Sequence, residues 1–246
     1  VEGVDAVVHC AGLVRAASAA EFDAVNGAGV GCLAAAAANR RAPPRFILMS
    51  SLAAREPQLS EYGWSKELAE RHVKASGLDW TIIRPPAIYG PNDREMLELF
   101  RMAKRGVMML PPGGRLSVIH VGDLARLLLA TAKETENSLT RIYEVDDGTP
   151  GGWDHQDFGA AIGRAVGRPV RTVATPRWAL GMAARADRLI RRGNAKLTPD
   201  RVDYFCHPDW VVTPAMQPPR RLWMPQIPTE DGLKATVAAY REKGWL

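Results

Sequence analysis

The sequence predicts an α/β protein organised around a doubly wound parallel sheet. Two observations carry this. Over residues 1–150, short apolar runs rich in β-branched residues alternate with stretches of helical length, and parallel strands need crossover helices between them. The residues with usable chemistry also gather just past the carboxyl ends of those runs, where open parallel sheets bind their ligands.

Taken in order, residues 4–9 read as a strand buried on both faces. Residues 21–39 follow as an alanine-rich helix, in which Gly27, Gly29 and Gly31 allow close approach to the sheet. Pro43 and Pro44 introduce a second buried strand, residues 45–51. Ser60 caps a helix over residues 61–76, because its hydroxyl can accept a free backbone N–H, and Gly77 ends that helix in a left-handed turn. Residues 80–84 form a third strand, stopped by Pro85-Pro86. Residues 93–104 read as helix and residues 116–121 as strand. Asp123 caps a helix over 124–133, and residues 142–145 make a last short strand. Beyond this the chain turns helix-rich, with breaks at residues 148–152 and Pro218-Pro219. Two units are expected: residues 1–150 for the sheet, and residues 151–246 as a smaller lobe over one end of it.

Composition narrows the function classes. The chain has 246 residues, 46% apolar and 24% charged, as in ordinary globular proteins. Cys10, Cys32 and Cys206 have no short spacing, so neither a zinc site nor a disulfide framework is expected. No apolar run reaches the ~18 residues of a membrane span. Glu2 and Asp5 leave no secretory signal, so the expectation is a cytoplasmic protein without a membrane partner. Net charge is +5, but the basic residues are dispersed, with doublets at Arg40-Arg41, Arg191-Arg192 and Arg220-Arg221 and no interleaved aromatics. No nucleic-acid partner is expected. A weak pull on anionic cofactors is compatible with this charge.

Tyr62 and Lys66 lie four residues apart on one helical face. A phenol titrates near pH ~10, too high for a base at neutral pH. A neighbouring ammonium lowers that value, and the helix N-terminus adds to the effect. Tyr62 can then exchange a proton with a substrate oxygen while hydride moves at the adjacent carbon. Ser51, ending the preceding strand, can hydrogen-bond the same oxygen, and Asn26 can hold a water or a carbonyl near Lys66. An isolated Tyr-x-x-x-Lys pair says little. The ordered set says more: His9-Cys10-Ala11-Gly12, Val25-Asn26, Ser50-Ser51, Tyr62-Gly63-Trp64-Ser65-Lys66, and Arg84-Pro85 followed by Ile88-Tyr89-Gly90-Pro91.

This order resembles the short-chain dehydrogenase/reductase superfamily, in particular its extended branch of NAD-dependent epimerases, dehydratases and 3β-hydroxysteroid-type dehydrogenases. The resemblance implies a Rossmann-like sheet and NAD or NADP as cofactor, with a small molecule as substrate. It makes Tyr62 the catalytic acid/base and Ser51 the partner of the substrate oxygen. Lys66 would lower the phenol pKa and bond the nicotinamide ribose. Cys10, Ala11 and Gly12 would run along the cofactor through their backbone, and Pro85 and Ile88 would flank the nicotinamide. It also implies a homodimer through the helices of residues 21–39 and 61–76.

The pattern departs from the family in one respect. The glycine-rich turn that cradles a pyrophosphate is not found. Gly27, Gly29 and Gly31 fall inside a predicted helix, and the glycine pairs at 113–114 and 151–152 precede no phosphate-binding helix. The first residues resemble the family's fourth strand. The sheet is therefore expected to be missing its first strands, leaving residues 4–9 with an open edge and the chain alone with poor affinity for NAD(P).

The reaction class follows from smaller features. Leu52-Ala53-Ala54 follow Ser51 where sugar dehydratases carry acidic residues, the segment 52–61 is short for a sugar epimerase, and residues 108–116 are apolar. A dehydrogenase or reductase for a hydrophobic or medium-sized alcohol/ketone is expected. The alternatives are a nucleotide-sugar epimerase and a non-catalytic NAD(P)-binding regulatory or assembly protein. His9 and His120 read as structural, His207-Pro208-Asp209-Trp210 as no metal site, Trp210 as an anchor of the C-terminal lobe, and Arg84 as paired with an acid or ending its strand.

Overall fold

The computed structural model describes residues 3–133, 136–191 and 197–246. β1 (Ala6–His9) leads to a helix in three pieces: α1 (Ala19–Phe22), a π-helical turn (Asp23–Gly27) and α2 (Ala28–Ala38). β2 (Arg45–Met49), two 3₁₀ turns (Leu52–Arg55 and Pro57–Leu59) and α3 (Glu61–Lys74) follow. Next come β3 (Trp80–Arg84), β4 (Ala87–Tyr89), α4 (Leu97–Arg105), β5 (Val107–Leu110), β6 (Arg115–Leu116), β7 (Val118–His120), α5 (Val121–Lys133) and β8 (Arg141–Glu144). The remainder holds β9 (Trp153–Asp154), α6 (His155–Val166), β10 (Arg171–Ala174), α7 (Arg177–Arg191), α8 (Pro199–Phe205), β11 (Asp209–Trp210) and α9 (Thr229–Glu242).

The main sheet has the order β1-β2-β3-β8, parallel throughout. Its strands alternate their side chains between two apolar layers, as the pleat requires. Phe46, Leu48 and Ile82 meet Val30, Ala34, Ala69 and Val73 of α2 and α3 on one face. Ile47 and Ile83 meet Leu124, Leu127 and Leu128 of α5 on the other. Helices on both faces of a parallel sheet make the doubly wound, Rossmann-like architecture.

Three expectations are corrected. β1 is not buried on both faces: it is the edge of the sheet, and Val8 is 38% exposed because β2 is its single hydrogen-bonded neighbour among the described strands. Gly27 and Gly31 of the first helix approach α3 rather than the sheet, and Gly29 lies against the Ala24 carbonyl of its own helix. A Cβ on Gly27 would lie 2.7 Å from Leu68 Cδ2, and one on Gly31 3.1 Å from His72 Cγ. Asp123 is not a helix cap, since α5 already begins at Val121. Its carboxylate instead accepts the backbone N–H groups of Gln226 and Ile227, each at 3.1 Å, and so ties a distant segment to α5.

A second core lies beside the sheet, where Phe100 and Met108 pack against Phe158, Ile162, Leu233, Val237 and Tyr240. It draws on α4 and β5 from before residue 150 and on α6 and α9 from after it. Two-stranded β5–β10, the pair β4–β7 and the three-stranded set β11-β6-β9 flank it. Among the described residues no helix is long and apolar enough to cross a membrane.

Candidate active site

The start of α3 is built to bring Tyr62 against the end of β2. Ser60 caps the helix as expected, its Oγ accepting the Gly63 N–H at 3.0 Å. Gly63 lets the first helical turn close onto the 3₁₀ turn after Ser51: a Cβ there would stand only 2.7 Å from the Ala53 carbonyl oxygen. The same two segments carry Ser51 and Tyr62, with the serine hydroxyl close enough to the phenol to favour its ionised form. Ser51 Oγ also accepts the Ala53 N–H at 3.2 Å, and the Leu52 N–H donates to the Pro85 carbonyl at 2.9 Å. Buried Pro85 is thereby held beside the serine.

One turn further along α3, the Lys66 ammonium donates to the Met49 carbonyl oxygen at 2.9 Å. The side chain is 6% exposed. Burial pushes its pKa down to about 8, against the opposing pull of Cys10 and Glu70. Its head lies against the loop after β1, where a Cβ on Gly12 would be 3.3 Å from Lys66 Nζ and 3.1 Å from Asn26 Oδ1. Asn26 sits buried in the π-helical turn. Its Oδ1 accepts the Leu13 N–H at 2.7 Å, while Nδ2 donates to the Leu13 carbonyl and to Ser65 Oγ, both at 2.9 Å. Ser65 Oγ in turn donates to the Tyr62 carbonyl at 2.8 Å. Loop, π turn and α3 thus form one hydrogen-bonded block. Cys10, Ala11 and Gly12 lie exposed along it. Ile88, half-buried in β4, packs into the cluster around Ile47 and Ile83.

The electrostatics differ from the sequence expectation. Burial raises the Tyr62 pKa, and the groups pulling it down are Ser51, through its hydroxyl, and the Arg201 guanidinium, with Glu95 pushing it up. The cation acting on the phenol is therefore in α8, because Lys66 directs its N–H to Met49. Around the phenol, Glu95 accepts Arg15 Nη2 on both oxygens at 2.6 Å and lies 3.8 Å from Arg201 Nη2. Tyr204 of α8 is close enough to Tyr62 to feel its charge, and packs its ring 4.6 Å from that of Trp210. Sequence reasoning missed Arg15, Glu95, Arg201 and Tyr204, since no local spacing links them. Ser65 and Gly63 stood in the Tyr62–Lys66 segment and were readable there.

Beneath the site, Glu70 is fully buried and accepts Ser50 Oγ at 2.7 Å and Arg84 Nε and Nη2 at 2.8 and 2.7 Å. Arg84 also lies 3.6 Å from Glu144, so it pairs with acids rather than simply ending its strand. His9 has a buried Nε2 without a hydrogen-bond partner, and burial lowers its pKa. No group of three or more metal-ligating side chains occurs among the described residues.

The profile of a family described as NAD(P)H-binding matches residues 1–135. The chain belongs to that NAD(P)H-binding family. A ceramide reductase of Caulobacter vibrioides is 34% identical over 250 residues, an alignment spanning 100% of this chain and 77% of that protein. Among solved structures, the human epimerase family protein SDR39U1 with NADPH superposes with a TM-score of 0.73 at 17% identity, covering 97% of this chain and 83% of that one. The Bordetella bronchiseptica enzyme WbmG, in complex with NAD and UDP, gives 0.69 at 15% identity, with coverages of 98% and 74%. The chain shares the fold of these neighbours. The cofactor of this NAD(P)H-binding protein is NAD or NADP. The absence of a Cβ at Gly12 leaves an exposed backbone strip running to the Lys66 ammonium, with room for such a cofactor to approach.

Proposed function

We propose that the protein is an NAD(P)H-dependent reductase of a ketone carried on a hydrophobic, ceramide-like amide lipid, with Tyr62 as proton donor. The observation that supports this most is the placement of Tyr62 beside Ser51 at the carboxyl end of β2, where the serine favours the phenolate, with the Lys66 head close to the Gly12 backbone. Lys66 and the backbone of Cys10, Ala11 and Gly12 would hold the nicotinamide ribose, and Pro85 and Ile88 would flank the ring. Bound NAD(P)H supplies hydride to the carbonyl carbon. Tyr62, kept protonated at neutral pH by burial, gives its proton to the carbonyl oxygen as negative charge develops there, yielding the alcohol. Ser51 orients that oxygen and stabilises the phenolate left behind, together with Arg201. Solvent then restores the phenol proton. Asn26 acts through Leu13 and Ser65, fixing the loop and the helix relative to each other.

The substrate class draws on the ceramide reductase relative and on the apolar setting of Ser51. Leu52 is buried with Trp210 and Val212, and half-buried Leu59 and Tyr204 pack against them. Leu59 and Tyr204 are the members of this cluster that an alkyl chain would reach. Residues 151–246, with α8, would contribute the substrate side.

The test uses the full-length protein with NADH or NADPH and a panel of ketones, from short water-soluble ones to long-chain keto-amides, following loss of the reduced cofactor. Tyr62→Phe is expected to lower turnover by about 10²–10⁴-fold with cofactor binding retained. Cofactor binding with no turnover of any ketone would favour a non-catalytic role, and interconversion of nucleotide sugars would favour an epimerase.

A further inference from the structure

α7 packs against α8 and turns much of its remaining surface outward. Ala184 is buried, whereas Trp178 is 68% exposed and Leu189 and Ile190 are each 81% exposed, with Met182 also open. At ~100° of rotation per residue, Trp178, Met182 and Leu189 fall on one narrow stripe, with exposed Arg185 at its margin. β10, which leads into α7, and its partner β5 carry further exposed apolar groups. β5 and β10 pair so that Met109 faces Val173, and these two and Val107 are exposed. Scattered exposed apolar residues need no explanation, but a set on one helical stripe marks a docking face.

Its charge says what docks there. The sequence of α7 contains four arginines, at 177, 185, 188 and 191, against the single acid Asp187, and Arg177 is paired with Asp203 of α8 at 2.6 Å. A basic amphipathic helix with tryptophan and leucine on its apolar stripe is suited to lie in the plane of an anionic bilayer interface. A second copy of the chain would bring the same positive charge to the contact, which opposes self-pairing. α8, on the other side of α7, carries the Arg201 and Tyr204 that act on Tyr62.

We propose that α7, together with the outer face of β5 and β10, seats this protein in the surface of an anionic lipid bilayer, so that an amphiphilic substrate passes from the lipid to the Tyr62 site beside α8. The chain expected from its sequence to have no membrane partner would thus be a surface-bound one. The delivery step rests on the reductase reading; the docking does not.

Full-length protein is sedimented with phosphatidylcholine vesicles, with and without phosphatidylglycerol, at low and high salt. Binding is expected with the anionic vesicles, weakened by salt. The combined variant Trp178→Ser, Met182→Ser, Leu189→Ser, Ile190→Ser should partition about tenfold or more weakly, with circular dichroism and NAD(P)H binding unchanged, since all four side chains are exposed. Arg185→Glu, which leaves the apolar stripe intact, should weaken binding to anionic vesicles as well. Failure of the wild type to bind either vesicle, equal binding by the variants, or a wild-type oligomer that the serine variant loses would each overturn the proposal. Reduction of a water-soluble ketone, run in parallel without vesicles, tests the reductase reading separately and should be unaffected by these substitutions.

Discussion

Lys66 donates to the main-chain carbonyl of Met49 across 2.9 Å, which pins the helix carrying Tyr62 to the end of the strand leading to Ser51. The same burial that makes this bond strong makes the charge costly. With its pKa lowered from 10.5 to about 8, Lys66 binds fewer protons in the folded than in the unfolded state between those two values. Below pH 8 the folded protein carries the whole penalty, and stability from this site rises as pH climbs through the window. Relative to Lys66→Met, the wild type should gain up to roughly 3 kcal/mol between pH 7 and pH 10.5. Urea unfolding of both proteins across that range measures it, and parallel pH dependences would show that Lys66 is solvated.

Tyr62 lies between two opposed charges from other elements, and these give its titration a signature. Arg201 pulls the phenol pKa down and Glu95 pushes it up. Arg201→Gln should therefore move the phenol titration to higher pH, and Glu95→Gln to lower pH. Tyrosinate absorbance, taken as the difference from the matching Tyr62→Phe protein, reads both. Shifts of the same sign in the two variants would show that neither charge acts on the phenol directly.

The contrast between Lys66 and Arg201 shows what the sequence made legible. Helical spacing announced Tyr62 and Lys66, strand ends announced Ser51 and Gly12, and the alternation of strands and helices announced the doubly wound sheet. These are local patterns. Arg201 reaches Tyr62 only through tertiary folding, and the four-residue separation that suggested a Lys66–phenol pairing carries no information about the Met49 carbonyl that takes the lysine's proton donor. The strands missed, β4 to β6 and β9 to β11, are two to four residues long, too short for a period of two to emerge. β1 looked buried because its residues are apolar, but burial depends on neighbours that a strand's own composition does not encode.

Gly63 was visible in the Tyr62–Lys66 segment but its contact was not, since nothing in its own neighbourhood reveals the Ala53 carbonyl facing it. Gly63→Ala would place a Cβ 2.7 Å from that backbone oxygen, and backbone cannot step aside as a side-chain end can. The helix start must shift away from the 3₁₀ turn, at a cost of roughly 1–3 kcal/mol. Because Tyr62 and Ser51 ride on the two separated segments, turnover should fall further than stability explains, while NAD(P)H affinity changes little. Denaturation and kinetics on the same preparation check this; full activity with unchanged stability would mean the contact relaxes freely.

Glu70 tests whether the charges under the site act as a unit. It is fully buried and accepts from Ser50 and twice from Arg84, with Lys74 at 3.3 Å. Glu70→Ala would leave the largely buried Arg84 with Glu144 at 3.6 Å as its remaining acid, and removing one member of a buried pair costs roughly 3–5 kcal/mol. Glu70→Gln keeps the shape and one acceptor, so it should cost less. Replacing both members, Glu70→Leu with Arg84→Met, removes the stranded charge and should recover much of the loss, since apolar substitutes for buried pairs are often close to neutral. Ser50 would still lose its acceptor beside Ser51, so the double variant should fold well yet turn over more slowly than the wild type. Thermal or urea unfolding separates the two effects from kinetics, and a double variant less stable than Glu70→Ala, by the loss that Arg84→Met alone causes, would show that the two residues stabilise the fold independently.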